Sequence, residues 1–401
     1  MNSRTLAADI QGIRFSVYLP DGQTFQLGQD GPAIDWHVHS ERTLRRILRH
    51  PQRELGCSYV RGQCDIDTRE LPALLLALET GAARRRLPAA MRGLRERLRA
   101  IPCTRVTAPP RWEDTSLWLS CICLGEELFQ GCAHYSEPGT SLEQAQRTRG
   151  RVLATRLQLE PGQHLLDVSA GWGALPLYLA ERTGVRVTGL VATREQLQHA
   201  HNEAQRRGLD AIVHFRLGGF RQCQGRFDRI LGSDPLTGEY QPAPRIVLER
   251  LAGLLADDGL LWLQIVGHRD NDPGGHWQPG PRLTAQPRLS ELHRALEHAH
   301  LHSLLQEDLS AYRLQDLRAR AQRYRNKRAA ISQRFGERHT RYWEFQIASE
   351  IAAVETRRLL QYELILGKGA CRWPASGARD AAEARLPVEI ARSIPGLARD
   401  I

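Results

Sequence analysis

Apolar and polar residues alternate from Ile13 to Gln26 on either side of Pro20-Asp21-Gly22, the pattern of two strands joined by a tight turn. A second alternating run, Ala33 to His39, predicts another strand. Ser40 is placed to cap a helix that carries Leu44, Ile47 and Leu48 on one face, and a further helix carries Leu74, Leu75 and Leu78. These elements predict a small α+β domain over residues 1–100. The proline-bearing stretch 101–115 is expected as a linker.

Beyond it the period changes. A helix over Leu142–Leu157 leads into the apolar strand His164–Val168, a glycine-containing turn and a helix over Ala174–Arg182. Strands are expected at Val185–Leu190, Ile212–Phe215, Phe227–Leu231 and Leu260–Val266. Short apolar strands alternating with helices predict a parallel sheet covered on both faces, an α/β fold. Residues Ser290–Glu355 read as mostly helical, Tyr362–Leu366 as a returning strand, and the second domain as 116–370. The tail, 371–401, has little periodicity.

Composition narrows the class. The 401 residues are 41% hydrophobic and 25% charged, which excludes wholesale disorder. The longest apolar stretch, Leu71–Leu78, is far short of the roughly 20 residues of a membrane-spanning helix. Met1–Gly12 shows no basic segment followed by an apolar run, so no secretory signal is expected and the eight cysteines, none in a CxxC pair, read as reduced cytoplasmic thiols. The net charge is +10, and because Lys327 and Lys368 are the only lysines, arginine carries it. Arginine's planar fork suits phosphate, so the basic runs Arg84–Arg99 and Arg318–Arg328 are candidates for anionic headgroups. No nucleic-acid module accompanies them, and no nucleic-acid partner is expected. Asp35, His37 and His39 share one face of a strand but read as packed or half-exposed residues, and no metal site is expected.

The segment with most chemistry in it is Leu165-Leu-Asp-Val-Ser-Ala-Gly-Trp-Gly-Ala174. A buried strand ends at Asp167, and Gly171 and Gly173 allow a tight turn and close ligand approach before the next helix. Asp167 is placed to orient the loop or to accept a bond from a ligand's ammonium group. The next strand ends in Ala192-Thr193 without the acidic residue that holds an NAD ribose. Thr193 and Gln196 offer neutral hydrogen bonds to ligand hydroxyls instead, which turns the reading from NAD to S-adenosylmethionine.

Tyr135-Ser136, Leu142-Glu-Gln-Ala-Gln146, Leu159-Glu-Pro-Gly162, the turn from Asp167 to Gly173 and Phe227-Asp-Arg-Ile230 together resemble the cyclopropane fatty acid synthase family. Leu19-Pro-Asp-Gly22, Leu55-Gly56 and Asp65-Ile-Asp67 resemble its amino-terminal region, in order. The resemblance implies a Rossmann-like class I methyltransferase domain with a helical insertion, preceded by a small α+β domain. It implies transfer of a one-carbon unit from S-adenosylmethionine to the cis double bond of unsaturated phospholipid acyl chains, with bound bicarbonate as the base that closes the ring. Asp167, Ser169, Ala170, Gly171 and Gly173 would hold the methionine part, and Thr193 and Gln196 the ribose. The expected setting is the cytoplasm, peripheral on the inner face of the membrane, and a homodimer is left open.

The departures from the family fall on the chemistry. Ser169 and Ala170 stand where the family has glycine and cysteine, and Gly218-Gly219-Phe220-Arg221 replaces a loop with an aspartate. At the bicarbonate pocket, Glu137, Thr237, Gly238, Gln264, Arg320 and the Ser349-Glu350 pair stand where the family has its ligands. Glu137, with Glu239 as a second candidate, is the candidate for the protein's own base, against the bland and favoured reading that it sits in the solvated loop Glu137-Pro-Gly-Thr140. The alternatives are a methyltransferase that does not close a ring, and a non-catalytic relative that binds lipid or a partner.

Overall fold

The computed structural model describes residues 14–27, 33–49, 51–84, 116–236, 243–268, 286–369, 371 and 373. The expected linker 101–115, the tail 374–401 and nearly all of the basic run Arg84–Arg99 lie outside the described residues. The described residues form two compact units, one of residues 14–84 with 317–360, the other of 116–267, 286–316 and 361–373.

In the first unit, β1 (Arg14–Tyr18) and β2 (Thr24–Leu27) form the expected hairpin, closed by Gly22 at a φ of +82°. β1 also pairs in parallel with β3 (Ala33–Val38), which pairs antiparallel with β4 (Cys64–Ile66), giving the order β2-β1-β3-β4. Along β3 Ile34, Trp36 and Val38 are buried while Asp35 and His37 are exposed, so one face of the sheet is dry. Helix α1 (Glu41–Arg49) starts at Ser40, whose Oγ accepts from the Thr43 N–H at 3.2 Å. Helices α2 (Pro51–Val60) and α3 (Leu71–Arg84) follow. Phe345, Ala348 and Ala352, from the long helix Glu337–Glu355, complete this core. That is why this unit reaches beyond the first hundred residues: the sheet's apolar face needs a helix that sequence proximity does not supply.

The second unit is built on a seven-stranded sheet of order β10-β11-β9-β8-β5-β6-β7. Its strands are β5 (His164–Asp167), β6 (Arg186–Val191), β7 (Val213–Leu217), β8 (Phe227–Ser233), β9 (Leu255–Gly267), β10 (Leu301–Asp308) and β11 (Leu360–Lys368). β7, β6, β5, β8 and β9 are parallel, and β10 and β11 form an antiparallel pair. Its helices are α4 (Leu117–Leu124), α5 (Leu142–Arg156), α6 (Ala174–Thr183), α7 (Arg194–Arg206), α8 (Pro244–Leu254) and α9 (Leu289–His298). Leu165, Leu166, Ile230, Leu261 and Trp262 are fully buried, as strands covered on both faces must be. After α9 come β10 and then α10 (Ser310–Asn326), α11 (Arg328–Phe335) and α12 (Glu337–Glu355).

β10 interrupts the run expected to be helical. The chain breaks after α9 at His300, which has a φ of +53°, and Leu301 begins the edge strand. Such a strand leaves alternate residues in water, so its apolar signal is weak and merges with the helices around it.

Candidate functional site

Asp167 ends β5 at 3% exposure, and burial pushes its carboxyl up to about 6. The Ser169 N–H, which donates to Asp167 Oδ1 at 2.9 Å, and the charge of Arg149 both oppose that shift. Ser169, at a position where the resembled family has glycine, turns its hydroxyl into the protein. The Ser233 N–H donates to Ser169 Oγ at 2.8 Å, and Ser169 Oγ lies 3.5 Å from Asp167 Oδ1. The serine thus ties the ends of β5 and β8 together.

Ala170 is buried and donates its N–H to Leu190 O on β6 at 3.0 Å. Gly173, at a φ of +84°, leaves no room for a side chain: a Cβ there would stand 2.8 Å from both Ala200 and Phe215. Gly171, at a φ of +55°, is covered by the Gln130 side chain. Trp172 locks the turn to α4 by donating to Ser120 Oγ at 2.9 Å. Thr193 and Gln196 form a capping box on α7: Thr193 Oγ1 accepts from the Gln196 N–H at 3.2 Å, and Gln196 Oε1 accepts from Ala192 N–H at 3.0 Å. Gln196 is fully buried, so the pair shapes the β6–α7 turn from within.

Glu137 is exposed, in a turn in which Thr140 Oγ1 donates to its carbonyl at 2.7 Å. Thr237, Gly238 and Glu239 lie outside the described residues. Gln264 is 2% exposed at the end of β9 and clamps a loop. Its Oε1 accepts from the Cys132 N–H at 2.7 Å, and its Nε2 donates to Cys132 O at 3.1 Å. Gly131 makes room for this clamp, since a Cβ there would stand 2.6 Å from Gln264 Oε1.

Sequence reasoning missed the group that organises the loop. Arg149 of α5 is 2% exposed; its guanidinium donates to Gln130 O, reaches Ser233 Oγ at 3.1 Å and sits 5.1 Å from the centre of the Trp262 ring. A signal was present, because positions 142, 145, 149, 152 and 156 form the buried stripe of α5 and two of them are arginine. The second, Arg156, pairs with buried Glu363 and with Glu307 at 2.8 Å. Gln130 was missed too: its Nε2 is buried beside Gly171 and has no hydrogen-bond partner.

The turn fits the methionine end of S-adenosylmethionine on the chemistry of its donors. Asp167 is a buried carboxylate that an ammonium group would neutralise, and Gln130 Nε2 is an orphaned donor suited to a carboxylate.

The other candidates have local explanations. Asp35 accepts from Tyr18 Oη at 3.1 Å, His37 stacks on the Tyr18 ring, and His39 Nε2 lies 2.7 Å from Asp65 Oδ2. Among the described residues no group of three or more His, Cys, Asp or Glu converges as a metal would require. In the run Arg318–Arg328, Arg318 pairs with Glu355, Arg328 with Glu337 and Glu344, and Arg320 is buried.

A profile of the mycolic acid cyclopropane synthetase family matches residues 114–359. A probable fatty acid methyltransferase of Pseudomonas putida is 24% identical over 258 residues, 61% of this chain and 64% of that protein. The cyclopropane-fatty-acyl-phospholipid synthase of Escherichia coli K12 is 32% identical over 117 residues, 27% of this chain and 29% of its own. The matched region therefore spans less than two thirds of either relative. The mycolic acid cyclopropane synthase CmaA1, solved with SAH and CTAB, superposes with a TM-score of 0.57 at 17% identity, covering 65% of this chain and 99% of that one. That likeness shows the fold, that of a class I methyltransferase. The family is S-adenosylmethionine-dependent. Because its profile covers more than half of the sequence, this chain belongs to the mycolic acid cyclopropane synthetase family.

Proposed function

We propose that the protein transfers a methyl group from S-adenosylmethionine to the cis double bond of an unsaturated phospholipid acyl chain. The observation that carries the cofactor half is the buried Asp167 carboxylate at a glycine turn with the orphaned Gln130 donor beside it. The names of the Pseudomonas putida and Escherichia coli relatives support the acyl half. None of the described helices is long and apolar enough to cross a membrane, so in this reading the enzyme meets its lipid at the membrane surface.

When bound, the cofactor supplies an electrophilic methyl group. Asp167 would accept hydrogen bonds from its ammonium group, and Gln130 Nε2 would donate to its carboxylate. Arg149 holds the 130–132 loop and Ser233 in place, and Ser169 fixes the carboxylate that the ammonium meets. Trp262 and Phe129, both buried, help keep water from the sheet end, where a carbocation would otherwise be trapped.

A second reading, methylation without ring closure, is favoured by Gln264. Its amide is bound to the Cys132 backbone on both its donor and its acceptor side. The test is incubation of the purified full chain with vesicles of cis-monounsaturated phosphatidylethanolamine and methyl-labelled cofactor. A gain of one CH2 with loss of the olefin means ring closure; the same gain with an olefin retained means a branch. No mass gain contradicts both.

A further inference from the structure

A strand at the rim of a sheet has one row of backbone N–H and C=O groups that its own sheet does not pair, and a second chain can add to it. Among the described residues four strands end a sheet, β2 and β4 in the first unit and β7 and β10 in the second. β2 and β4 are four and three residues long and offer few bonds. β7 defends itself by its charges. Antiparallel pairing of two copies of Val213–Leu217 about Phe215 would set His214 opposite Arg216 twice, with no carboxylate to join them.

β10 differs from these. It runs eight residues, Leu301–Asp308, and holds no proline or lysine, the usual guards of an edge. His302, Ser303 and Gln306 are exposed and Leu304 and Leu305 half-buried, so neither face of the strand is fully covered. The Leu309 N–H donates to Gln361 O at 2.8 Å, and the register with β11 sets Glu307 opposite Glu363 and Leu305 opposite Ile365. An antiparallel ladder alternates, so Leu305 and Glu307 turn their backbone groups toward β11. Ser303 and Gln306 turn theirs to the open edge. Leu304 is the extra residue of a bulge between Ser303 and Leu305.

The sequence of this edge is complementary to itself. Two antiparallel copies overlap over the whole strand when Leu305 of one meets Leu305 of the other. With the bulge residue left out of the count, Ser303 then meets Gln306, His302 meets Glu307 and Leu301 meets Asp308. The Ser303–Gln306 pairs are ones whose backbone groups face outward, as hydrogen bonding between copies requires. The centre is apolar, and on each side of it an imidazole N–H meets a carboxylate. Glu307, which also binds Arg156 at 2.8 Å, is still 37% exposed. A twofold axis at Leu305 makes every such contact twice.

We propose that β10 is a self-association edge, through which a second copy of this chain joins two seven-stranded sheets into one continuous sheet, whatever reaction the site performs.

Sedimentation equilibrium of the purified full chain is expected to show monomers and dimers exchanging with a Kd in the micromolar range, since a single edge buries less than a permanent dimer does. Gln306→Pro removes an N–H that faces outward and none that β11 uses. It should keep the wild-type Tm within a few degrees while weakening the dimer about tenfold or more. His302→Glu sets carboxylates against each other on both sides of the centre and should weaken it about fivefold. Hydrogen exchange of the wild type needs no variant: the peptide over residues 301–308 should gain protection as protein rises from about 1 to about 100 µM, and β7 should not. A monomer at the highest concentration, a dimer that Gln306→Pro leaves intact, or exchange over 301–308 that ignores concentration would each overturn the proposal. Slow exchange there in a monomeric protein would mean that another segment of the same chain covers the edge, and overturns it too.

Discussion

Gly162 and Gly173 share a φ of +84° and differ in what surrounds them. Around Gly162 nothing lies within 4 Å of a would-be Cβ, whereas at Gly173 that atom would stand 2.8 Å from Ala200 Cβ and from the Phe215 ring. Both alanine variants therefore carry the same backbone strain, about 1–2 kcal/mol for a left-handed alanine, partly offset by a stiffer unfolded chain. Only Gly173→Ala adds an overpacking cost, about 1–3 kcal/mol, because neither Ala200 nor Phe215 is a flexible side-chain end that can swing aside. Gly173→Ala should thus be less stable than Gly162→Ala by about 2 kcal/mol, or about 4–8 °C in Tm for a unit of this size. Urea unfolding followed by tryptophan fluorescence measures the difference, with equal m-values confirming a comparable transition. Equal losses in the two variants would refute the claim that the second glycine of the turn is required by packing.

Three further outcomes follow from buried charge. An acid whose pKa is higher in the folded than in the unfolded chain contributes stability below its ordinary value and loses that contribution as pH rises through its folded value. Asp167, at about 6, therefore weakens the ligand-free protein as pH climbs from 4 to 6. Asp167→Asn should stabilise it by about 3 kcal/mol at pH 7 and by almost nothing near pH 4, while weakening cofactor binding; equal stability at pH 7 would contradict this. In the first unit, Arg328 Nε donates to the buried Glu344 carboxylate at 2.7 Å, and Tyr59 Oη donates to it at 3.1 Å. Arg328→Met should cost about 3 kcal/mol, and adding Glu344→Gln should recover part of it, which a double-mutant cycle in urea would show. Arg149→Met leaves Gln130 O and Ser233 Oγ without this partner, so cofactor affinity should fall about tenfold or more, with partial recovery in Arg149→Lys; calorimetry that finds all three proteins equal would contradict the role given to Arg149.

The sequence patterns that proved legible were those in which local chemistry and tertiary packing agree. Pro20-Asp21-Gly22 closes its hairpin, Ser40 caps its helix, and the glycine turn follows Asp167 because buried strands and turns carry strong local signals. β10 was hidden because an edge strand needs only half its residues apolar. Helix α12 reads as a helix, but nothing in its sequence tells that Phe345, Ala348 and Ala352 finish the core of the amino-terminal sheet. At the candidate site, Asp167 was legible and its setting was not. Ser169 looks like an added obstacle in one dimension, yet its hydroxyl is used within the protein. Arg149 lies on a helix whose charged residues look solvated until the fold turns it inward.

The most direct test of the central claim is calorimetric titration of S-adenosylmethionine into the purified full chain, with Asp167→Ala as the control. The account predicts saturable one-site binding in the micromolar range that the variant abolishes. No heat at millimolar ligand, or equal binding by the variant, would contradict a cofactor site at the Asp167 turn.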